Sequence, residues 1–234
     1  MAQYGKASYW DDRYTKDPEP FDWYQRYDGI KDILGTYIKK EDQILMSGAG
    51  NSRLSEDMAT DGYRSLFNID ISKVVVEQMV AKTGDRMGFE WKQMDATSLD
   101  FADENFDAVV DKALMDSLLC GEGSTANVNK MCAEVSRVLK PKGVYIVISY
   151  GIPDNRLSYL ENKDFNWSVT VKTVRKFRAP RHAVPLHVVC CCGTGLTTTI
   201  TTTTSRGLWS RRRWFDCLVL NRWVLCCAIG WILD

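Results

Sequence analysis

The chain predicts an α/β fold in which a mostly parallel sheet carries helices on both faces. Three observations lead there. Short apolar runs alternate with segments of helical spacing, a glycine turn joins the first run to its helix, and acidic residues recur just past successive runs, at Asp70, Asp95 and Asp111. Strands that alternate with helices build βαβ units, whose strands pair in parallel.

Ahead of the first strand, Trp10, Tyr14, Trp23, Tyr24 and Tyr27 lie within eighteen residues. Rings at that density either pack on a core or close over a ligand and exclude water. Asp28 to Lys39 reads as a helix with Ile30, Ile33, Leu34, Tyr37 and Ile38 on one face. Ile44 to Met46 reads as a buried strand, Gly48 and Gly50 permit a tight turn and close backbone approach, and Ser52 to Asp61 reads as a helix. Ser65 to Ile69 reads as a second strand ending in Asp70, twenty residues beyond Gly50. A carboxylate there can accept hydrogen bonds from two ribose hydroxyls. Ser72 is an N-cap for the helix Lys73 to Lys82, whose Val75, Val76, Met79 and Val80 cover the sheet.

Phe89 to Asp95 reads as a third strand ending in an acid. A turn from Phe101 feeds a fourth strand with Asp111 and Lys112 at its carboxyl end. After the polar loop Gly121 to Asn127, Val128, Met131, Cys132, Val135, Val138 and Leu139 have helical spacing. Pro141 and Gly143 stop that helix before the strand Val144 to Ser149. Phe165 to Phe177 alternates as a half-buried strand does, and Leu186 to Cys191 reads as its antiparallel partner.

A pyrophosphate-binding turn carries three glycines, whereas the third position here is Ser52. The ligand indicated therefore has no phosphate. S-adenosyl-L-methionine fits, since its amino acid tail can bond to a glycine turn. Asp95 is then placed to accept from the adenine amino group, because ligands of open α/β sheets sit at the carboxyl ends of the strands.

The ordered set of glycine turn, acid after strand two, acid after strand three, Phe106-Asp-Ala-Val-Val-Asp111 and Arg137-Val-Leu-Lys-Pro-Lys-Gly143 resembles the S-adenosylmethionine-dependent methyltransferases. The resemblance runs from Tyr9 to about Arg178. It implies a Rossmann-like, seven-stranded, mostly parallel sheet with helices on both faces and an antiparallel last strand pair. It also implies a cofactor site made of Trp10, Tyr14, Trp23, Gly48, Gly50, Asn51, Asp70, Ile71, Asp95, Ala96 and Lys112, with the aromatic segment as a lid. A narrower match lies in Tyr9-Trp-Asp-Asp-Arg-Tyr14, Phe21-Asp-Trp-Tyr24 and Gly50-Asn-Ser-Arg-Leu-Ser-Glu56. These are similar to the subfamily containing the lysine methyltransferases of translation elongation factor 1A. That subfamily also reads "DKGTLDAL", where this chain has Asp111-Lys-Ala-Leu-Met-Asp116 with Ala113-Leu114 at the Gly-Thr pair. Ala49 and Ser47 stand where a Cys and a Leu are usual.

Thirty basic residues balance thirty acidic ones, which leaves no electrostatic footprint for nucleic acid. Division at Cys192 puts +3 on the tail and −3 on the preceding domain, a mildly acidic surface open to a basic protein segment. Met1 to Asp12 has no apolar signal region, so a cytoplasmic location is expected. Only Cys120 and Cys132 occur in the first 189 residues. Cys190, Cys191, Cys192, Cys217, Cys226 and Cys227, with His182 and His187, lack the spacing of structural zinc sites, and no metal is expected.

At 234 residues the chain suits one catalytic domain. The organisation read from it is an aromatic lid and helix over 1–43, a methyltransferase domain over 44–192, and a tail over 193–234 outside the fold. The tail holds eight threonines between Thr194 and Thr204, then Arg211 to Arg213. Asp216, Asn221 and Arg222 interrupt its apolar stretch Trp214 to Leu233, so no membrane span is expected. The oligomeric state has no signature in the sequence.

Methyl transfer from a sulfonium is an in-line displacement that depends on positioning and desolvation and needs no dedicated nucleophile. A lysine acceptor must lose a proton before it attacks. Asp111 and Asp116 lie at the right strand end to orient it and are the candidate catalytic residues, although Asp116 equally reads as a helix cap. Three functions stand open: a protein-lysine methyltransferase with elongation factor 1A as candidate substrate, a small-molecule methyltransferase, and a cofactor-binding pseudoenzyme or interaction module.

Overall fold

The computed structural model describes residues 3–84, 88–165, 167–174 and 186–193. His182, the end of the strand read to Phe177, and everything after Gly193 lie outside the described residues. In chain order the elements are α1 (Ala7–Lys16), a 3-10 turn (Tyr27–Gly29), α2 (Lys31–Tyr37), β1 (Gln43–Ser47), α3 (Leu54–Thr60), β2 (Ser65–Asp70), α4 (Lys73–Thr83), β3 (Phe89–Gln93), β4 (Phe106–Lys112), α5 (Leu114–Leu119), α6 (Ser124–Val138), β5 (Leu139–Ser149), α7 (Asp154–Leu160), β6 (Trp167–Val174) and β7 (Leu186–Gly193).

The seven strands form one sheet in the order β3-β2-β1-β4-β5-β7-β6. The first five pair in parallel, and β7 runs antiparallel to both β5 and β6. Alternation along each strand divides the core. Ile44, Met46, Leu66, Ala108, Val110, Ile146, Ile148, Val188 and Cys190 face one layer, where Ile30 just ahead of α2, Leu34 of α2, and Leu54 and Met58 of α3 cover them. Leu45, Ile69, Val109, Tyr145, Val147, Val189 and Cys191 face the other, under α5, α6 and α7. In α6, Val128, Met131, Cys132, Val135 and Val138 supply the apolar stripe that helical spacing predicted.

Several boundaries differ from the sequence reading, each for a local reason. Ile30 has non-helical angles (φ −131°, ψ −5°), so the expected helix Asp28 to Lys39 splits into a 3-10 turn and α2. Gly123, at φ +67°, starts α6 at Ser124, and the polar loop shortens accordingly. Leu139 already pairs with Phe106, and pairing resumes at Ala108 with Val144. Pro141 and Gly143 therefore lie in an irregularity within β5, which spares proline a ladder hydrogen bond. Helices α1 and α7 were not read from the sequence, and the short helix expected to follow Asp116 as its cap instead begins at Leu114, so that Asp116 lies within α5; at six and seven residues α5 and α7 show too few turns for a periodic signal.

Ile146 is fully buried in β5, with Val110 on one neighbouring strand and Cys190 on the other. Ile146→Ala should cost about 2–5 kcal/mol of folding free energy, read as a lower urea midpoint with an unchanged slope. A loss under about 0.5 kcal/mol, the size of an ordinary surface change, would mean that this layer is not packed as described.

Candidate functional site

The order of strands reverses between β1 and β4, which opens a crevice at their carboxyl ends. Strand register brings Ile69, Ser47, Asp111 and Val147 into one row across that end. The chain leaves β1 through Gly48 (φ +66°) and Gly50 (φ +55°), angles that disfavour any side chain. The Gly50 N–H donates to Asp70 Oδ2 at 2.9 Å and the Ser72 N–H to Asp70 Oδ1 at 3.0 Å, so the β2 acid and the turn fix each other. Burial pushes the Asp70 carboxyl up to about 6, against the pull of those two N–H groups.

Past β3, the Met94 N–H reaches Asp70 O, which carries Asp95 and Ala96 alongside Ile71. Asp95 is exposed, and its Oδ1 accepts from Thr97 N and Oγ1, both at 2.8 Å. Ile71 is half-buried and its carbonyl accepts from Gln93 Nε2, while Ala96 is buried.

The segment 18–25 crosses these strand ends as a strap, and motif side chains hold it. Asn51 Nδ2 donates to Glu19 O (2.6 Å) and Asn51 Oδ1 accepts from Phe21 N (3.3 Å). Ser52 Oγ donates to Asp22 Oδ1 at 2.5 Å. The Lys112 ammonium meets that same oxygen at 3.0 Å and donates to Trp23 O at 3.1 Å. Burial lowers the Lys112 pKa, and the Asp22 carboxylate partly restores it. Tyr24, at φ +67°, points its hydroxyl to Asp116 Oδ2, 2.6 Å away. Trp23 is half-buried, edge-on to Phe21 at 5.1 Å.

Trp10 and Tyr14 stack at 5.9 Å on α1 and pack against Val75, Val76 and Met79 of α4. Tyr14 does reach the turn, because a Cβ built on Gly50 would meet its hydroxyl oxygen at 2.6 Å. Asp11 anchors α1 to the start of α4, accepting from Ser72 Oγ at 2.6 Å.

The two candidate catalytic acids are both engaged. Asp111 is fully buried and accepts from Leu114 N, Met115 N and Tyr145 Oη. It thereby caps α5, whose preceding residue Ala113 sits at φ +79°. Asp116 accepts from Tyr24 Oη, Ser149 Oγ, Tyr150 N and the Arg156 guanidinium, joining the strap, β5 and α7. Sequence reasoning missed Asp22, Asp11, Ser149 and Arg156 as partners. Asp22 lies inside a quoted motif, but ninety positions separate it from Lys112 and no spacing rule connects them.

These residues fit an adenosine-bearing sulfonium. Each Asp70 oxygen accepts one backbone N–H and keeps capacity for a hydroxyl, Asp95 bonds internally through Oδ1, and Gly48 and Gly50 carry no side chain to block close approach to the turn.

Residues 45–147 match the family described as a methyltransferase domain. The chain is 38% identical over 151 residues to the eEF1A lysine and N-terminal methyltransferase of Mus musculus, covering 63% of this chain and 22% of that protein. It is 32% identical over 177 residues to the EEF1A lysine methyltransferase 4 of Mus musculus, covering 71% of this chain and 69% of that protein. This chain thus spans about a fifth of the first relative and over two thirds of the second. Among solved structures, a SAM-dependent methyltransferase from Methanosarcina mazei aligns with a TM-score of 0.57 at 18% identity, covering 74% of this chain and 99% of that one. The [4+2]-cyclase SpnF aligns with a TM-score of 0.56 at 16% identity, covering 74% and 84%. Likeness at that level shows the fold alone.

Burial, reinforced by the Asp116 charge, pushes the Asp111 carboxyl up to about 7, although Tyr145 and two N–H groups favour its charged form. The unfolded chain releases this proton near 3.8, so between the two values the folded state holds more protons. The stability that Asp111 contributes is complete below the lower value and is lost as pH rises through the upper. Asp111→Asn should therefore gain stability relative to the parent between about pH 4 and pH 8 in urea titrations. An offset independent of pH would show that Asp111 is ionised throughout.

Proposed function

We propose that this chain, which belongs to the methyltransferase-domain family, transfers the methyl group of S-adenosyl-L-methionine to a lysine of a protein substrate, with eEF1A the substrate suggested by its relatives' names. One observation carries the cofactor half. Asp70 is buried at the end of β2, tied to the Gly50 and Ser72 amides, beside the crevice where the strand order reverses. Asp70 accepts from the ribose diol, Asp95 and the Ala96 backbone bind the adenine, and Ile71 lies between them. Gly48 and Gly50 lie against the amino acid tail. Bound S-adenosylmethionine supplies a methyl on a positively charged sulfur, open to in-line displacement by an amine.

The remaining work falls to positioning and desolvation. Asn51, Ser52, Lys112 and Asp116 pin the strap that carries Trp23, whose carbonyl accepts from Lys112 at the end of β4, while Trp10 and Tyr14 brace α1 against α4. We assign the aromatic N-terminus the role of a lid. Asp111 and Asp116 spend their oxygens on internal donors, so we assign them to positioning: Asp111 fixes α5, and Asp116 fixes Tyr24. The proton of an incoming ammonium then passes to water. We assign the transfer unit to residues up to β7 and leave the tail outside it.

The five cysteines among the described residues are free, four of them buried, which suits a reducing compartment such as the cytoplasm. No helix among the described residues is long and apolar enough to cross a membrane.

Asp70→Ala removes the acceptor for the diol. A hydrogen bond to a charged group is worth about 1.5–3 kcal/mol, so affinity for S-adenosylmethionine should drop roughly ten- to a hundredfold in calorimetric titration. Equal affinity in parent and variant would remove Asp70 from the site. Radiolabel from the cofactor should appear in purified eEF1A incubated with the parent. Label in a small molecule only, or none at all, would overturn the lysine reading.

A further inference from the structure

A ligand whose base lies by Asp95 beyond β3 and whose ribose lies by Asp70 at the end of β2 has one direction left. Its 5′-substituent extends across β1 toward β4, because the sheet order is β3-β2-β1-β4. The first residue beyond β1 is Gly48, and what stands over it is Leu114. A Cβ built on Gly48 would meet Leu114 Cβ at 3.0 Å, Cδ1 at 3.1 Å and Cδ2 at 3.2 Å.

Leu114 is rigidly mounted. Asp111 Oδ1 accepts its N–H at 2.8 Å, the preceding Ala113 N–H donates to Ile148 O at 3.1 Å, and Ser117 N–H closes the first turn of α5 on Ala113 O at 3.0 Å. Leu114 is half-buried, packed against the core and standing over Gly48 at the carboxyl end of β1. A branched hydrocarbon here offers no hydrogen bond. It bounds space, and its γ-branch cannot swing into Gly48 without a clash.

We propose that Leu114 is a specificity-determining residue: it walls the β1–β4 crevice and limits the size of the substituent that the cofactor sulfur can carry. The proposal rests on the S-adenosylmethionine reading of the site. Leu114 admits a methyl and excludes longer chains, and it holds the sulfur substituents in one arrangement relative to the strap.

The test compares S-adenosylmethionine with its analogue carrying allyl in place of the transferable methyl, by calorimetric Kd on the full chain. One methylene misfitted in a tight apolar pocket is worth roughly ten- to two-hundredfold. The parent should bind the allyl analogue at least tenfold more weakly. Leu114→Ala, which removes three carbons, should bring the two ligands within about threefold, and Leu114→Val should fall between. If Leu114→Ala does not fold, as judged by its thermal melt, the Val variant decides by the same ratio. A parent that binds both ligands equally, or variants that bind S-adenosylmethionine yet keep the parent's ratio, overturn the wall while leaving the cofactor reading intact. A parent that binds neither ligand overturns both.

Discussion

The ion pair between Lys112 and Asp22 is the constraint on which the site depends. Its atoms are 3.0 Å apart, and the two side chains are only 6% and 9% exposed. Both charges leave water, so the pair contributes little net stability, whereas removal of either partner strands the other as a buried charge. Such a pair specifies an arrangement more than it strengthens one. Here it fixes where the N-terminal strap lies on the sheet. Ser52 shares the Asp22 oxygen, Asn51 holds the strap at Glu19 and Phe21, and Asp116 takes the Tyr24 hydroxyl at its far end. Tyr24 keeps a left-handed backbone angle between two of these anchors, a conformation that persists only where surroundings determine it.

This gives the motif residues a second meaning. Asn51, Ser52, Lys112 and Asp116 lie in segments that resemble a cofactor-binding pattern, yet their polar atoms bond to the strap. On the proposed reading, the groups left for the cofactor are the two carboxylates at the ends of β2 and β3, the backbone of the glycine turn, and Leu114. The [4+2]-cyclase aligned on the same architecture shows that the fold does not dictate one reaction. The chemistry must be argued from these few groups.

The apolar runs that mark β1, β2, β4 and β7 were legible because each strand is buried through most of its length, as was the cap at Ser72, which accepts from Val75 N. The glycine turn and Asp70 were legible because backbone geometry restricts which residues can stand there. The strap clamp was not. Lys112 with Asp22, and Asp116 with Arg156, join positions far apart in the chain, and ion pairing leaves no period for a sequence to display. The roles of Asp111 and Asp116 were open for the same reason: an acid at a strand end reads alike whether it faces a substrate or caps the next helix. Only the donors around it distinguish the two.

Hydrogen exchange of the strap tests this account most directly, with the Phe21 amide as reporter because its acceptor is Asn51 Oδ1 across the clamp. The amide should be protected in the parent, gain protection when S-adenosylmethionine is added, and lose it in Lys112→Met while the central strands stay protected. Fast exchange at Phe21 in the parent, with and without the cofactor, would contradict a clamped strap over a cofactor site.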